Sequence, residues 1–315
     1  MLRRLLPLLV PAVVLALGFE APAAPATKKK STSSTAAKTS ATATQKAKPQ
    51  PQPQREEPSK LLPNGAPIVR AASVLLLDAR SGEIIYEKNA DQHRPPASTQ
   101  KLLTALLVAE GGGLNQPVTI EASDTWAEPV KLNIQPGEVY SRYDLLEVLL
   151  VHSMNDVARA LARDHAGSVE AFAARMNQKA AQLGATASNF VNPNGLPAPG
   201  QYSTARDMAR IALAAYQNRT IRSIVREKEM YFRYADGRLR HFENTNRVLK
   251  RFPFCNGMKT GYTEAAGRCL ISSASNGDRE VIAVLLGDDS NIWKDSHAML
   301  VYGLNDGAAA RIGSN

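Results

Sequence analysis

The sequence predicts a mixed α+β fold: an antiparallel β-sheet flanked by helices, with a helical subdomain inserted into it. Three observations carry that reading. The folded part opens on two strand-like runs joined by a tight turn, capped amphipathic segments fill its middle, and β-rich runs return before a final periodic segment. At 315 residues, 44% of them hydrophobic, the chain can bury a substantial core.

Ala71–Asp78 is a buried-strand run, Ala79–Gly82 a turn, and Glu83–Lys88 a returning strand. Pro95 and Pro96 then hold the chain extended, and Ser98 opens a helix whose stretch from Leu102 to Val108 is apolar on nearly all sides. Gly111-Gly112-Gly113 stops it and lacks the spacing of a dinucleotide loop. Ser141–Leu150 is a capped amphipathic helix, Asn155–Leu161 begins another, and Ser168–Leu183 is a third, closed by Gly184. Asn192–Pro197 is a loop rich in turn residues, and Ser203–Asp207 starts a further helix, with Thr204 and Asp207 spaced for a variant capping box. Met258–Tyr262, Arg268–Ala274 and Val281–Leu286 read as strands, and Ile292–Leu304 as the closing helix. Pairing about a turn at Thr263–Gly267 sets Cys269 opposite Gly261 or Tyr262. That leaves Cys255 roughly 20 Å away, far beyond the ~7 Å limit for a bridge. Both thiols are expected free and buried.

Charge divides the chain. Residues 1–60 carry ten Lys/Arg and three Glu, whereas residues 61–315 carry 28 Lys/Arg and 26 Asp/Glu, so the formal charge of +9 sits mostly in the tail. A nucleic-acid footprint belongs on the folded domain, so nucleic acid is excluded as a partner. Arg3 and Arg4, the apolar run Leu5–Leu17 and the small residues Ala21–Ala24 form an export signal over residues 1–23, too short to span a membrane. Residues 24–60 are a low-complexity linker that cannot bury a face. Its charge serves solubility first and peripheral contact with an anionic envelope second. The domain occupies residues 61–315. The expected location is periplasmic or extracellular, without a C-terminal membrane anchor.

Three short patterns carry chemistry. Ser98-Thr99-Gln100-Lys101 sets a hydroxyl and an amine on one helix face, Ser153-Met154-Asn155 lies in a break between helices, and Lys259-Thr260-Gly261 lies on a strand. Each is cheap alone: Ser98 could merely cap a helix, Ser153 could cap the next one, and Lys-Thr-Gly could be a strand meeting a turn. Their order is specific, and none recurs in the chain. The five histidines (His93, His152, His165, His241, His297) have no metal-ligand spacing, so no metal or other cofactor is expected. His152 adjoins Ser153, but neighbouring side chains point apart, which makes it structural. Trp126 and Trp293 are isolated core or rim residues.

Ser-x-x-Lys, Ser-x-Asn and Lys-Thr-Gly, in this order, form the motif set of penicillin-binding proteins and class A β-lactamases. With Asn192–Leu196, Ser203–Asp207 and Lys259–Thr263, the chain resembles the serine D-alanyl-D-alanine carboxypeptidases, the low-molecular-mass penicillin-binding proteins, from about Val69 to Gly303. The resemblance implies the penicillin-binding protein / β-lactamase-like fold, peptidoglycan stem peptides as substrate and β-lactams as covalent inhibitors. Ser98 is assigned as nucleophile and Lys101 as its base, made neutral by burial and by the neighbouring cation Lys259. The resemblance places Ser153 between the lysines as a proton relay, Asn155 on a substrate amide, and Lys259 with Thr260 on the terminal carboxylate. Gly261 is expected to leave room for substrate, and the N–H groups of Ser98 and Tyr262 to form an oxyanion hole. Strand alternation sends Lys259 and Thr260 to opposite faces, so both can reach substrate only at a strand edge. A class A lactamase would add a Glu-x-x-x-Asn pair, absent after Ser153, which favours trapping of β-lactams over their hydrolysis. D,D-carboxypeptidase is the first reading, D,D-endopeptidase the second, and a non-catalytic muropeptide-binding protein the alternative of another class.

Overall fold

Strand β1 (Ser73–Asp78), a continuous buried apolar run, pairs antiparallel with β2 (Ile84–Lys88) around the turn at Ser81-Gly82. The computed structural model describes residues 60–62, 65–289 and 291–305. The signal and nearly all of the linker read from residues 1–60 lie outside them.

Helix α1 (Lys101–Glu110) follows, then the short hairpin β3 (Pro117–Thr119) and β4 (Val139–Ser141). Helices α2 (Arg142–His152), α3 (Asn155–Ala166), α4 (Val169–Gln182), α5 (Ala205–Gln217) and α6 (Arg219–Val225) come next. A second hairpin, β5 (Glu229–Arg233) and β6 (Leu239–Glu243), and one turn of helix, α7 (Val248–Arg251), lead back to the main sheet. Strands β7 (Cys255–Thr263), β8 (Gly267–Ser275) and β9 (Glu280–Asp288) and helix α8 (Ile292–Leu304) finish the described chain. The sheet order is β2-β1-β9-β8-β7, antiparallel throughout, with β7 at an edge.

The period-2 pattern sorts the core into two layers. Leu75, Leu77, Ile271, Ile282, Val284 and Leu286 face α1, α2, α3 and α5; Val74, Leu76, Leu270, Val281, Ala283 and Leu285 face α7 and α8. Both faces are therefore covered, which explains why β9 reads as a continuous apolar run. Gly261 pairs with Cys269 and Cys255 with Ala274, and both thiols are buried and free. Among the described residues no helix is long and apolar enough to cross a membrane.

Local chemistry departs from the sequence reading in three places. Ser98 does not open an α-helix: Ala97–Gln100 is a 3-10 turn and α1 starts at Lys101. Ser153 does not cap α3; it ends α2 in a left-handed conformation, φ +73°, and Met154 takes the cap position. Thr204 does accept from Asp207 N–H at 3.0 Å, but the Asp207 carboxylate turns away to Ala187 N–H and Ser188 Oγ, so no reciprocal box forms.

Candidate active site

Ser98 and Lys101 meet because a 3-10 turn runs directly into α1, which keeps their side chains three residues apart on one side. Lys101 Nζ lies 2.8 Å from Ser98 Oγ, 2.7 Å from Asn155 Oδ1 and 2.7 Å from the Asn194 carbonyl. Lys101 is fully buried and Lys259 is 1% exposed. Burial, and after it the charge of Lys259, pushes the Lys101 amine well below its ordinary 10.5, while Asp156 opposes the shift. Burial alone brings Lys259 down to about 7.

The break between α2 and α3 supplies the second part. Asn155 Oδ1 faces Lys101, and its Nδ2 donates to the Pro129 carbonyl at 2.5 Å. Asn155 thus orients Lys101 through Oδ1, while Nδ2 keeps a second N–H beyond its bond to Pro129. Asp156, next in sequence, accepts from Leu132 N–H and Asn133 N–H at 3.0 and 2.9 Å. Together the two side chains staple the segment around Pro129–Asn133 to the start of α3. Four of the five non-glycine residues with positive φ among the described residues (Ala97, Val130, Asn133 and Ser153) belong to these segments. Backbone strain of this kind concentrates where the surroundings over-determine geometry.

The third part is the edge strand. Lys259 points into the helical side with Nζ 3.1 Å from the Thr260 carbonyl, and Thr260 Oγ1 lies 2.7 Å from Thr245 Oγ1. Because β7 has no outer neighbour, opposite-facing Lys259 and Thr260 share a free edge. Gly261 also allows a close approach between the strand and the turn that carries Ser98. A Cβ there would lie 2.9 Å from Ser98 N and 3.0 Å from both Ala97 Cβ and Thr99 N. The missing side chain admits the turn that carries Ser98. That approach also brings Ser98 N–H beside the Gly261-Tyr262 peptide; the Tyr262 side chain is 62% exposed.

Sequence reasoning missed the Asn194 carbonyl, Asp156, Thr245 and the Pro129–Asn133 segment. The turn-rich Asn192–Pro197 loop and the adjacency of Asp156 to Asn155 were usable signals; nothing local marked Thr245 or Pro129. Gly195 (φ +83°) follows Asn194 and lies so close to the Ala97 carbonyl that a side chain there would collide with it.

The sequence profile of the D-alanyl-D-alanine carboxypeptidases, peptidase family S11, matches residues 62–290. Over 222 residues the chain is 34% identical to D-alanyl-D-alanine carboxypeptidase DacF of Bacillus subtilis, covering 69% of this chain and 57% of that one. It is 30% identical to the D-alanyl-D-alanine endopeptidase of Escherichia coli, covering 70% and 72%. The fold is similar to the crystal structure of a D-alanyl-D-alanine carboxypeptidase from Mycobacterium tuberculosis, with TM-score 0.72, 32% identity, and 82% and 96% of the two chains covered. The chain thus spans little more than half the length of DacF. On the profile match and these likenesses, the chain belongs to the D-alanyl-D-alanine carboxypeptidase family.

Proposed function

We propose that the protein is a serine D,D-carboxypeptidase that removes the terminal D-alanine of peptidoglycan stem peptides through an acyl-enzyme on Ser98. The observation that carries the reading is the environment of Lys101 Nζ. A neutral amine has two N–H donors and one lone pair. The carbonyl oxygens of Asn155 and Asn194 can only accept, so they take both hydrogens and leave the lone pair to Ser98 O–H. The amine then removes the hydroxyl proton as Ser98 Oγ attacks the peptide carbonyl. The N–H groups of Ser98 and Tyr262 receive the oxyanion, and Ser153 passes the proton to the departing D-alanine amine. Lys259 and Thr260 hold the terminal carboxylate; above its shifted pKa Lys259 acts as a hydrogen-bond donor, below it as a cation. Water hydrolyses the ester with Lys101 again as base. β-Lactams acylate the same Ser98 and stay attached.

We further assign residues 1–23 as an export signal, residues 24–60 as a linker and residues 61–315 as the peptidase domain, acting in the periplasm or outside the cell. A second reading, D,D-endopeptidase, is supported by the 30% identity to the E. coli endopeptidase over 70% of this chain. Release of D-alanine from a soluble pentapeptide, run beside cleavage of a crosslinked muropeptide dimer, decides between them. D-alanine release with the dimer intact supports the first reading; cleavage of the dimer alone replaces it by the second.

A further inference from the structure

We propose that the recess between α7 and α8 is an exosite for carboxylate-bearing stem peptides, holding the polymer while a neighbouring stem enters the cleft at Ser98. The inference rests on the reading above that peptidoglycan is the substrate. The recess encloses about 330 Å³, is walled by Phe252, Trp293 and His297, and is edged by Arg251, Lys294 and Asn291. That volume suits one small polar residue with its neighbours rather than a long chain. No carboxylate is among its lining residues. Phe252 and His297 meet edge to face with centroids 4.7 Å apart, and the Arg247 guanidinium lies 5.7 Å from the Trp293 ring. Guanidinium forks pair with carboxylates in two-bond geometry, and the aromatic walls accept the aliphatic or sugar parts beside them.

The place fits an exosite. Val248 and Phe252 belong to the apolar layer on the face of the sheet away from Lys101, so the recess shares no residue with the catalytic cluster. Yet Thr245, whose Oγ1 touches Thr260 Oγ1 at 2.7 Å, is only three residues from Val248, which lines the recess. At ~3.3–3.6 Å of chain per residue, that is a span of at most about 11 Å. Two stems of one polymer can therefore engage both places, and the second contact gains the effective concentration of a tethered ligand. A lone soluble pentapeptide gains nothing from it.

The test uses the full-length protein with Ser98→Ala, co-sedimented with purified, protein-free peptidoglycan sacculi. Arg251→Glu added to it weakens binding about tenfold, the weight of one charge-assisted hydrogen bond. Lys250→Glu, the same charge change one residue away on an exposed side chain paired with Glu243, leaves binding unchanged. In the Ser98 protein, Arg251→Glu keeps kcat/KM for soluble pentapeptide within about twofold and slows D-alanine release from sacculi. Undiminished sedimentation of the Arg251→Glu protein, or an equal loss with Lys250→Glu, overturns the exosite and leaves the catalytic reading standing. Absence of D-alanine release from soluble pentapeptide by the unaltered protein fails the catalytic reading, and is read separately.

Discussion

At the residue scale, the chemistry turns on which protonation state each buried lysine holds. Lys101 titrates well below 10.5 because it is buried, and a charged Lys259 pushes it further in the same direction. Its neutral form, the base, therefore persists to lower pH than an exposed lysine allows, and acylation falls on the acid side as the amine regains its proton. Lys259→Met removes the second cause, so the Lys101 pKa rises and the acid limb of kcat/KM moves to higher pH. A pH profile of penicillin acylation measures this; an unmoved or lowered limb contradicts it. In the same variant, substrates with a free terminal carboxylate lose most, and a uniform loss across amidated and free peptides contradicts the assignment of Lys259. The burial of Lys101 was legible in the leucine-rich run from Leu102. The two carbonyls that orient it were not, because the Asn194 carbonyl is backbone and carries no residue signature.

At the element scale, the site depends on three segments that approach more closely than ordinary side chains allow. Gly261→Ala puts a Cβ against Ser98 N, Ala97 Cβ and Thr99 N. The 3-10 turn must then shift by a few tenths of an ångström or more, and the acylation rate falls by about 10²-fold, as a displaced nucleophile implies. Thermal unfolding and acylation kinetics of the one variant separate this from unfolding. Asp156→Ala leaves the N–H groups of Leu132 and Asn133 unpaired, which costs about 2 kcal/mol of stability in denaturant titration. A variant as stable as the parent contradicts the staple. The strands, the closing helix Ile292–Leu304 and most helix caps were legible, because their patterns are local and regular. The hairpin β5–β6 was missed although its tip holds Asp236-Gly237, a turn signal, since its short alternating strands are half exposed. The 3-10 start at Ala97 was missed because i→i+3 and i→i+4 turns share their residue preferences.

At the scale of the whole molecule, two lysines buried within one domain tie stability to pH. Lys259 falls from the ordinary 10.5 unfolded to about 7 folded, so between those values the unfolded chain binds the extra proton. Unfolding free energy therefore rises with pH across that window, and the penalty is fullest below pH 7, where Lys259 is charged in both states. Melting temperature should climb from pH 7 to pH 9, and Lys259→Met should flatten the climb; a falling curve in the parent at these pH values contradicts the shift. The α+β class and the order of the three motifs were legible from sequence, but their convergence was not, because it depends on β7 lying at the sheet edge opposite α1. The central claim is that Ser98, activated by neutral Lys101, is the acylated residue. Intact-mass measurement after incubation with a penicillin tests it most directly. The account predicts one stoichiometric adduct, mapped by peptide digestion to Ser98 and lost in both Ser98→Ala and Lys101→Ala; an adduct of equal yield in Ser98→Ala would contradict it.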